Sequence, residues 1–365
     1  MKHITFILTN DFFPDVRVYK EAKYLVDKGF KATILCWHRD ISRELAEHEI
    51  RDGIELIRYK IPSVYGTGMK QIGAYWKYIK ACRKYLESHD TDYLHCNDID
   101  GAVAGYYANE KNVPFVFDMH EFYEKGSKLK RWIIRSVVIF FLKRSIAGLY
   151  ENAAYLADDY KEVRDKLYPL RNYPDSSMVH YVPKTKSPLF RVAYHGVVRQ
   201  YEEFLALFEA VKEMPDVQVD INGSGMTVAS LKEKAKWYSN VHINGPYNGI
   251  TESIRLYSET DALFCGYDAS DPNYQGDAEV IKFYEAICTG TPMIMTAGIG
   301  MAEKVEKNHF GVTCDTRNAD DIKRAIMMLK DNKDFWNSTH ASELTAANNY
   351  TWESAVKVFK KIYFG

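Results

Sequence analysis

The sequence predicts an α/β protein made of two doubly wound domains, each a parallel sheet flanked by helices. Apolar, strand-like runs alternate with helical runs along the chain, which favours parallel strands joined by crossover helices. The length of 365 residues fits about two domains of roughly 150 residues each. The alternation also stops once, in a polar stretch with several prolines, and then starts again.

The first half of the chain opens on the strand ITFILT, which the helix VRVYKEAKYLVDKG follows. The runs KATILCW and IELIRYKI are the next predicted strands, and a long helix follows from about residue 69 to residue 89. The segments DYLHCND, DGAVAGYYANEKN and PFVFDMH are typical of a strand, a helix and a strand. Strands alternating with helices in this way predict a parallel sheet for the first domain.

The second half begins after a polar linker, Leu167 to Pro188. Its predicted strands are FRVAYHG, VQVDINGSG, NVHING, ALFCGY, PMIMT and GVTCD, with helices such as EEFLALFEAVKEM and ASLKEKAKWYS between them. The tail YTWESAVKVFKKIY is amphipathic, and we expect it to be a helix that packs back on the first domain. The predicted domains are therefore residues 1–170 with about 350–365, and residues 171–349.

Ligands of open α/β sheets bind at the carboxyl ends of the strands. Two such domains facing across a cleft predict a binding site in that cleft. This expectation fits enzymes and two-domain binding proteins equally.

Composition excludes several classes of partner. A formal net charge of -1 gives no overall attraction to nucleic acid. The six cysteines are scattered, without a CxxC pair or a histidine cluster at metal spacing, so we expect them to be reduced and mostly buried, with no metal bound. The N-terminus lacks a signal-peptide pattern, and no apolar run reaches the roughly 18 residues needed to span a bilayer. We expect a cytoplasmic protein.

Several segments, in their order, resemble the retaining GT-B glycosyltransferases of glycosyltransferase family 4. In the first half these are NDFFPDVRVYKEAKYLVDKGFKATIL and HCNDIDGAVAGYYANEKNVPFVFDMHEF. In the second half they are AYHGVV, INGSG and IKFYEAICTGTPMI. The resemblance covers essentially the whole chain and implies two Rossmann-like domains and a sugar transferase.

The helical segment EVIKFYEAICTGTP carries the family's donor signature. Lys282 and Glu285 match its Lys-x-x-Glu form, although the same spacing also gives an ordinary surface ion pair. The resemblance implies that Glu285 accepts hydrogen bonds from the nucleotide ribose and that Lys282 contacts the diphosphate. Asp277 stands eight residues before Glu285, at the place of a usual glutamate, and is a third candidate near the sugar.

Two loops after strands are the other donor-side candidates. Gly196 and Arg199 lie where the family carries a phosphate-binding arginine, while the lysine that usually follows is missing. Gly223 and Gly225 follow a strand directly, where glycine permits close approach of backbone to a nucleotide but is also common in plain turns.

On the first domain, the resemblance places His120 against the donor sugar and the leaving phosphate. His95 and Asp98 end the preceding strand, and they either shape an acceptor pocket or cap the next helix. We expect Asp11, Pro14 and Arg17 to line the acceptor side, although Arg17 also has Glu21 at helical i, i+4 spacing.

The segment from Lys125 to Arg144 contains seven basic residues and no acid around an apolar, aromatic core. Such a helix is a candidate for lying on an anionic membrane surface, or its apolar part is ordinary core with solvated flanks. The candidate contact residues are Lys128, Lys130, Arg131, Trp132, Arg135, Lys143 and Arg144. A lipid-linked acceptor at the inner face of the cell membrane would explain them.

We therefore predict a retaining glycosyltransferase that moves a sugar from a nucleotide-diphosphate sugar, with UDP favoured, to a saccharide or lipid-linked saccharide. No cofactor or metal is expected, because basic residues can neutralise the diphosphate. The alternatives are a silent partner subunit of the same fold and a nucleotide-sugar epimerase.

Overall fold

The computed structural model describes residues 1–12, 15–64, 68–124, 126–249, 251–271, 274 and 280–364. The chain forms two compact units, residues 1–171 with 356–365, and residues 172–355. The last ten residues therefore belong to the first unit. None of the described helices has the length and the apolar character that crossing a membrane requires.

The first unit contains a sheet of eight strands in the order β3-β4-β2-β1-β5-β6-β7-β8, parallel except for the β3–β4 pair. Its elements are β1 (His3–Leu8), α1 (Val16–Asp27), β2 (Lys31–His38), β3 (His48–Arg51), β4 (Ile54–Lys60), α2 (Ile72–Ser88), β5 (Tyr93–Asn97), α3 (Asp98–Ala108), β6 (Phe115–Met119), α4 (Lys128–Arg144), β7 (Ala147–Tyr150) and β8 (Leu167–Pro169).

The second unit contains a six-stranded parallel sheet in the order β11-β10-β9-β12-β13-β14. Its elements are β9 (Phe190–His195), α5 (Glu202–Val211), β10 (Val217–Asn222), α6 (Val228–Ala235), β11 (Val241–Gly245), α7 (Ser253–Ser258), β12 (Ala262–Cys265), α8 (Ile281–Thr289), β13 (Met293–Thr296), α9 (Gly300–Asn308), β14 (Gly311–Cys314), α10 (Ala319–Asp331), α11 (Lys333–Ala346) and α12 (Trp352–Ala355).

The predicted fold class, two parallel-sheet α/β domains, is confirmed. In each sheet the strand order reverses between two neighbours, β1 and β5 in the first unit and β9 and β12 in the second. The loops that leave such neighbours run in opposite directions, and the crevice between them is where α/β sheets bind ligands. The topology therefore marks one candidate crevice in each unit.

Local sequence signals account for the ends of the helices that matter most. Asp15 caps α1 by accepting a hydrogen bond from Val18 N at 3.1 Å. Helix α8 ends at Gly290, whose φ of 59° is left-handed, so the predicted Thr-Gly-Thr-Pro stop is confirmed.

The sequence analysis missed the short antiparallel strand β3. It pairs with β4 across Asp52 and Gly53, which both have positive φ. An Asp-Gly pair between strand-like runs is the sequence signal for such a hairpin.

The prediction of one continuous C-terminal helix was wrong. The structure divides it into α12, a 3-10 turn at Val356–Val358, and α13 (Phe359–Tyr363). Helix α12 is held within the second unit, where Trp352 N donates to Pro174 O at 2.8 Å, whereas Phe359 and Tyr363 are buried in the first.

Each unit has its own apolar core. The cluster of the first unit joins α2, α3 and α4 to the sheet, and includes Trp37, Tyr78 and Phe117. Two clusters of the second unit lie around α5 and α10 and around α8 and α9. All six cysteines are buried and unpaired, as predicted.

Candidate functional site

A cluster of charged side chains lies at the strand ends of the first unit, beside the point between β1 and β5 where the strand order reverses. Arg17 of α1 is at its centre and is only 7% exposed. Its guanidinium lies 2.7 Å from Asp118 Oδ1, 3.1 Å from Glu21 Oε1 and 3.2 Å from Glu151 Oε2. The predicted i, i+4 pair with Glu21 is therefore present, as one of three contacts.

His120 follows β6 and is partly exposed at the edge of this cluster. Its Nε2 lies 3.0 Å from Asp118 Oδ2 and 3.2 Å from Asn97 Oδ1, and its Nδ1 lies 3.5 Å from Asp98 Oδ2. Burial by itself would lower the pKa of His120, but Asp118 and Asp98 outweigh it and raise the pKa to about 9. The imidazole is therefore a cation at neutral pH, suited to contact an anionic group.

Asp98 supports the loop that carries His120. It is the first residue of α3 and has a positive φ of 61°. Its Oδ1 accepts hydrogen bonds from His120 N at 3.2 Å and from Tyr123 OH at 2.5 Å. The side chain therefore braces His120 and is not the predicted cap of the next helix; its acceptor role stays a prediction.

His95 lies in β5 behind Asp118 and is fully buried. Its Nε2 is 3.3 Å from Glu21 Oε2 and 3.5 Å from Asp118 Oδ2, while its Nδ1 is 2.6 Å from the hydroxyl of Tyr363. Because the ring has no exposed surface, it can affect an acceptor only through its neighbours.

Glu21, Asp118 and His120 place possible metal-ligand atoms within 4.8 Å of one another. The guanidinium of Arg17, however, lies directly against both carboxylates. Burial by itself would raise the pKa of Asp118, yet Arg17 and His120 hold it well below its usual range. Side chains of the protein thus already balance the charge that a cation would balance.

The remaining candidates on this side differ in accessibility. Asp11 is partly exposed, and its carboxylate lies 3.3 Å from Arg43 Nη1. Pro14 lies outside the described residues. The acceptor-side assignment of both residues stays a prediction.

In the second unit, the loops that follow β9 and β10 extend the sheet beyond its strands. Gly196 N donates to Asn222 O and Val198 N donates to Ser224 O, both at 2.9 Å. Gly196 has a φ of 129°, which favours glycine. These bonds fix the backbone of the predicted phosphate-side loop.

Close packing of these two loops explains the glycines of INGSG. A Cβ on Gly223 would lie 1.8 Å from Gly196 O, and one on Gly225 would lie 1.9 Å from Val198 O. Both glycines are therefore required by loop-to-loop contact, whatever the loops bind.

Lys282 is the second residue of α8, and its ammonium group lies beside the loop after β9. Its Nζ lies 3.4 Å from the ring centroid of Tyr194, and a Cβ on Gly196 would come within 3.3 Å of it. The residue is 7% exposed, and burial lowers its pKa to about 8. No described carboxylate forms an ion pair with it. Its buried ammonium group is therefore available to an anion at this loop.

Glu285 lies one turn further along α8 and is 9% exposed. Its Oε2 accepts a hydrogen bond from the hydroxyl of Tyr257 at 2.9 Å. The predicted partner Asp277 lies outside the described residues. A fixed carboxylate at a strand-end crevice can accept hydrogen bonds from vicinal hydroxyl groups.

Arg199 is exposed in the same loop as Gly196. It forms no ion pair within the part of the chain that the structure describes, and it is close enough to Lys282 to oppose that residue's charge. The structure thus brings two cations and Glu285 together in the second unit.

Two family models match this chain. The model described as Glycosyltransferase Family 4 matches residues 15–161, and the model described as Glycosyl transferases group 1 matches residues 184–344. The chain is a group 1 glycosyltransferase. Sequence comparison with curated proteins finds no match.

Solved structures share the fold of this glycosyltransferase at low sequence identity. Sucrose-phosphate synthase from Thermosynechococcus elongatus aligns with a TM-score of 0.76 at 15% identity, over 100% of this chain and 98% of that one. Anabaena HepE, in complex with UDP-glucose, aligns at 0.68 and 14% identity, over 99% of each chain. WaaG, a glycosyltransferase involved in lipopolysaccharide biosynthesis, aligns at 0.64 and 15%, over 99% of this chain and 100% of that one.

The basic helix α4 of the glycosyltransferase has two different halves. Its first six residues, 128–133, are all exposed, including Leu129 at 67% and Trp132 at 62%. In contrast, Arg135 pairs with Glu124 at 2.6 Å. Lys143 pairs with Glu162, also at 2.6 Å, and Arg144 lies over the ring of Phe140.

The membrane-contact candidates therefore divide. Lys128, Lys130, Arg131 and Trp132 are exposed. The paired cations of the second half are engaged with the protein itself. The acids that pair with them lie outside the segment, so its own sequence did not reveal them.

Sequence reasoning also missed the residues that hold the candidates in place. Asp118, Glu151 and Tyr257 each contact a predicted site residue, as does Tyr363. Asp118 had a weak signal, since an acid in an apolar strand requires a buried partner. Tyr363 had none, because the hydrogen bond it makes spans 268 residues.

Proposed function

We propose that this glycosyltransferase transfers a sugar from a nucleotide-diphosphate donor, with UDP as the nucleotide, to a saccharide or lipid-linked saccharide, with retention of anomeric configuration. The observation that carries the proposal is the arrangement on α8. Lys282 is buried against the loop of Gly196, and Glu285 is fixed by Tyr257 one turn away. An ammonium group and a carboxylate at this spacing suit a diphosphate and a ribose.

The donor chemistry follows from these charges. The bond between the anomeric carbon and the phosphate oxygen breaks, and the acceptor oxygen bonds to the same face of that carbon. The acceptor proton passes to the departing phosphate oxygen, and the nucleoside diphosphate leaves. Lys282 and Arg199 stabilise the negative charge that develops on the phosphate, which is usually the largest catalytic contribution.

His120 supplies a further cation on the first unit. Its raised pKa keeps it protonated at neutral pH. We assign it to the donor sugar and the leaving phosphate. The reaction on this scheme needs no metal ion, because Lys282 and Arg199 provide positive charge for the departing diphosphate.

A UDP donor is supported by the Anabaena relative, whose structure is a complex with UDP-glucose. A saccharide of a surface polysaccharide or glycolipid is supported as acceptor by WaaG, which is involved in lipopolysaccharide biosynthesis. We assign the exposed start of α4 to the anionic inner face of the cell membrane, because Leu129, Trp132 and Ile133 are flanked there by exposed basic residues. This would bring a lipid-linked acceptor to the enzyme.

Calorimetric titration with UDP, GDP and dTDP tests the donor site. We expect UDP to bind the wild type, and Glu285→Ala to bind it at least about tenfold more weakly, a loss of about 1.4 kcal/mol. Glu233→Ala is the matched control, since Glu233 is an exposed residue of the same unit. If none of the three nucleotides binds, or if both variants bind like the wild type, the donor assignment fails.

Cosedimentation with vesicles tests the membrane assignment. We expect binding to vesicles that contain phosphatidylglycerol, and loss of binding when Lys128, Lys130 and Arg131 are all changed to Glu. The control changes Lys232, Lys234 and Lys236 to Glu, because these exposed residues of the second unit give the same change in net charge. Equal binding by both triple variants would remove the membrane assignment and leave the transferase assignment intact.

A further inference from the structure

The end of the chain contacts the charged cluster of the first unit from behind. Tyr363, in the last turn of α13, places its hydroxyl 2.6 Å from Nδ1 of His95. Both side chains are fully buried, and their rings stack with centroids 6.3 Å apart. Tyr363 thus packs against the cluster on the side that lies away from His120.

From His95 the contacts continue without a break to His120. His95 Nε2 lies 3.5 Å from Asp118 Oδ2, and the same oxygen lies 3.0 Å from His120 Nε2. The same carboxylate oxygen therefore interacts with both imidazole rings. Any change in the charge of His95 changes how strongly Asp118 holds His120.

We propose that Tyr363 is a positioning residue for His120, acting through His95 and Asp118. The proposal rests on the proposed function, in which His120 contacts the donor. It adds a role for the C-terminal turn, which the donor chemistry does not otherwise use.

The direction of the effect follows from the possible proton positions. Arg17 and His120 hold the pKa of Asp118 well below its usual range, and an ionised carboxylate only accepts hydrogen bonds, so Nε2 of His95, 3.5 Å from Asp118 Oδ2, carries a proton. Burial raises the pKa of Tyr363 well above its usual value, so the phenol stays protonated and donates to Nδ1. That bond requires a lone pair on Nδ1 and therefore favours the neutral ring.

Two influences thus oppose each other at His95. Burial by itself would lower the pKa of His95, but the carboxyl groups of Asp118 and Glu21, 3.5 Å and 3.3 Å from its Nε2, outweigh burial and raise the pKa. The hydroxyl of Tyr363 counteracts this rise. The hydroxyl could accept a hydrogen bond from a charged His95 ring only if its own proton had no acceptor among the described residues.

Other charged and titratable groups face the two imidazole rings and stay unchanged in the test. They are Arg17 and Glu21 of α1, Asp98 of α3, Asp118 of β6, and Tyr123 and Glu151 in the loops after β6 and β7.

Removing the hydroxyl favours a charged His95. A charged His95 competes with His120 for the carboxylate of Asp118, so His120 loses its proton more easily. Tyr363→Phe keeps the ring and removes only this bond. We expect the pKa of His120 to fall by up to about half a unit, because one hydrogen bond at His95 changes a pKa by roughly that much to one unit and only part of the change reaches His120 through Asp118. Tyr93→Phe is the matched control, because Tyr93 packs against Tyr363 but its hydroxyl contacts exposed Lys2.

Nuclear magnetic resonance of ¹⁵N-histidine-labelled protein measures the titration directly, with His120→Gln assigning the signal. In parallel, kcat/KM for UDP-glucose turnover is measured between pH 6 and pH 10. We expect the alkaline limb to move to lower pH in Tyr363→Phe, with kcat reduced about threefold above about pH 9, and with kcat at pH 7 and KM for UDP-glucose nearly unchanged. Tyr93→Phe should match the wild type in both measurements.

The outcomes separate the two proposals. A His120 titration that is unchanged or moves to higher pH overturns the role of Tyr363, whatever the activity. A titration that falls while kcat and the pH profile stay as in the wild type also overturns it. If the wild type neither binds UDP nor turns over UDP-glucose, the donor assignment fails, and the titration still decides whether Tyr363 controls His120.

Discussion

The hydrogen bond from Tyr257 to Glu285 is the contact that we expect to position the ribose-binding carboxylate. Tyr257 is 1% exposed and Glu285 is 9% exposed, and the bond measures 2.9 Å. A hydrogen bond to a charged group contributes about 1.5–3 kcal/mol. Tyr257→Phe keeps the ring and should therefore lower the free energy of unfolding by about 2 kcal/mol.

The same change should weaken UDP binding, because Glu285 is then present but less well held. We expect a loss of about three- to tenfold, equivalent to about 0.7–1.4 kcal/mol. Urea denaturation followed by tryptophan fluorescence measures the first effect, and calorimetry measures the second.

A double-mutant comparison isolates the bond itself. In a Glu285→Gln background the tyrosine donates to a neutral oxygen, so the cost of Tyr257→Phe should fall to about 1 kcal/mol. Tyr238→Phe is the control, because Tyr238 makes the same type of bond to Glu209 at the surface of the same unit and should change little. If Tyr257→Phe costs no more than Tyr238→Phe, the bond does not hold Glu285 and the reasoning is refuted.

Three further predictions concern stability and pH. Gly290→Ala should destabilise the protein by about 2 kcal/mol or more in urea denaturation, because φ is left-handed and the added Cβ would lie 2.5 Å from His340 Nδ1; a change below about 0.5 kcal/mol would contradict this. Burial raises the pKa of Glu343 well above its usual value. The neutral carboxyl group therefore makes its full contribution to stability below about pH 4, and this contribution is lost as pH rises. Glu343→Gln should therefore be more stable than the wild type at pH 8, with the gap closing toward pH 4; a gap independent of pH would argue against it. The raised pKa of His120 gives stability that is full below about pH 6.5 and is lost as pH rises through about 9. His120→Gln should flatten the stability profile between these values, and parallel curves for variant and wild type would be the contrary result.

Much of the fold could be predicted from the sequence because its signals are local. Alternating strand and helix patterns, the stop at Gly290 and the restart after the linker all act within a few residues. The C-terminal helix shows the limit of this approach. Its periodicity continues from Trp352 to Tyr363, yet the structure interrupts it at Val356–Val358, where the chain passes from one unit to the other.

The candidate site was predictable where a residue type followed the end of a strand or began a helix. Lys282, Glu285 and His120 lie at such positions and were identified by resemblance to the family's motifs, and their substrate roles stay predictions. Gly223 and Gly225 were identified as well, but the structure gives them a different reason, since they allow two loops to pack together. Asp277 and Pro14 lie outside the described residues.

The sequence by itself determined the fold class and the family, because periodicity and the order of motifs along the chain can be recognised without knowing which distant residues are in contact. The tertiary structure alone decided which charges are paired. It joined Tyr363 to His95 across 268 residues, surrounded Arg17 with three carboxylates, and gave Arg135 an acid from outside its own helix. Such contacts depend on strand order and register, which no local pattern encodes.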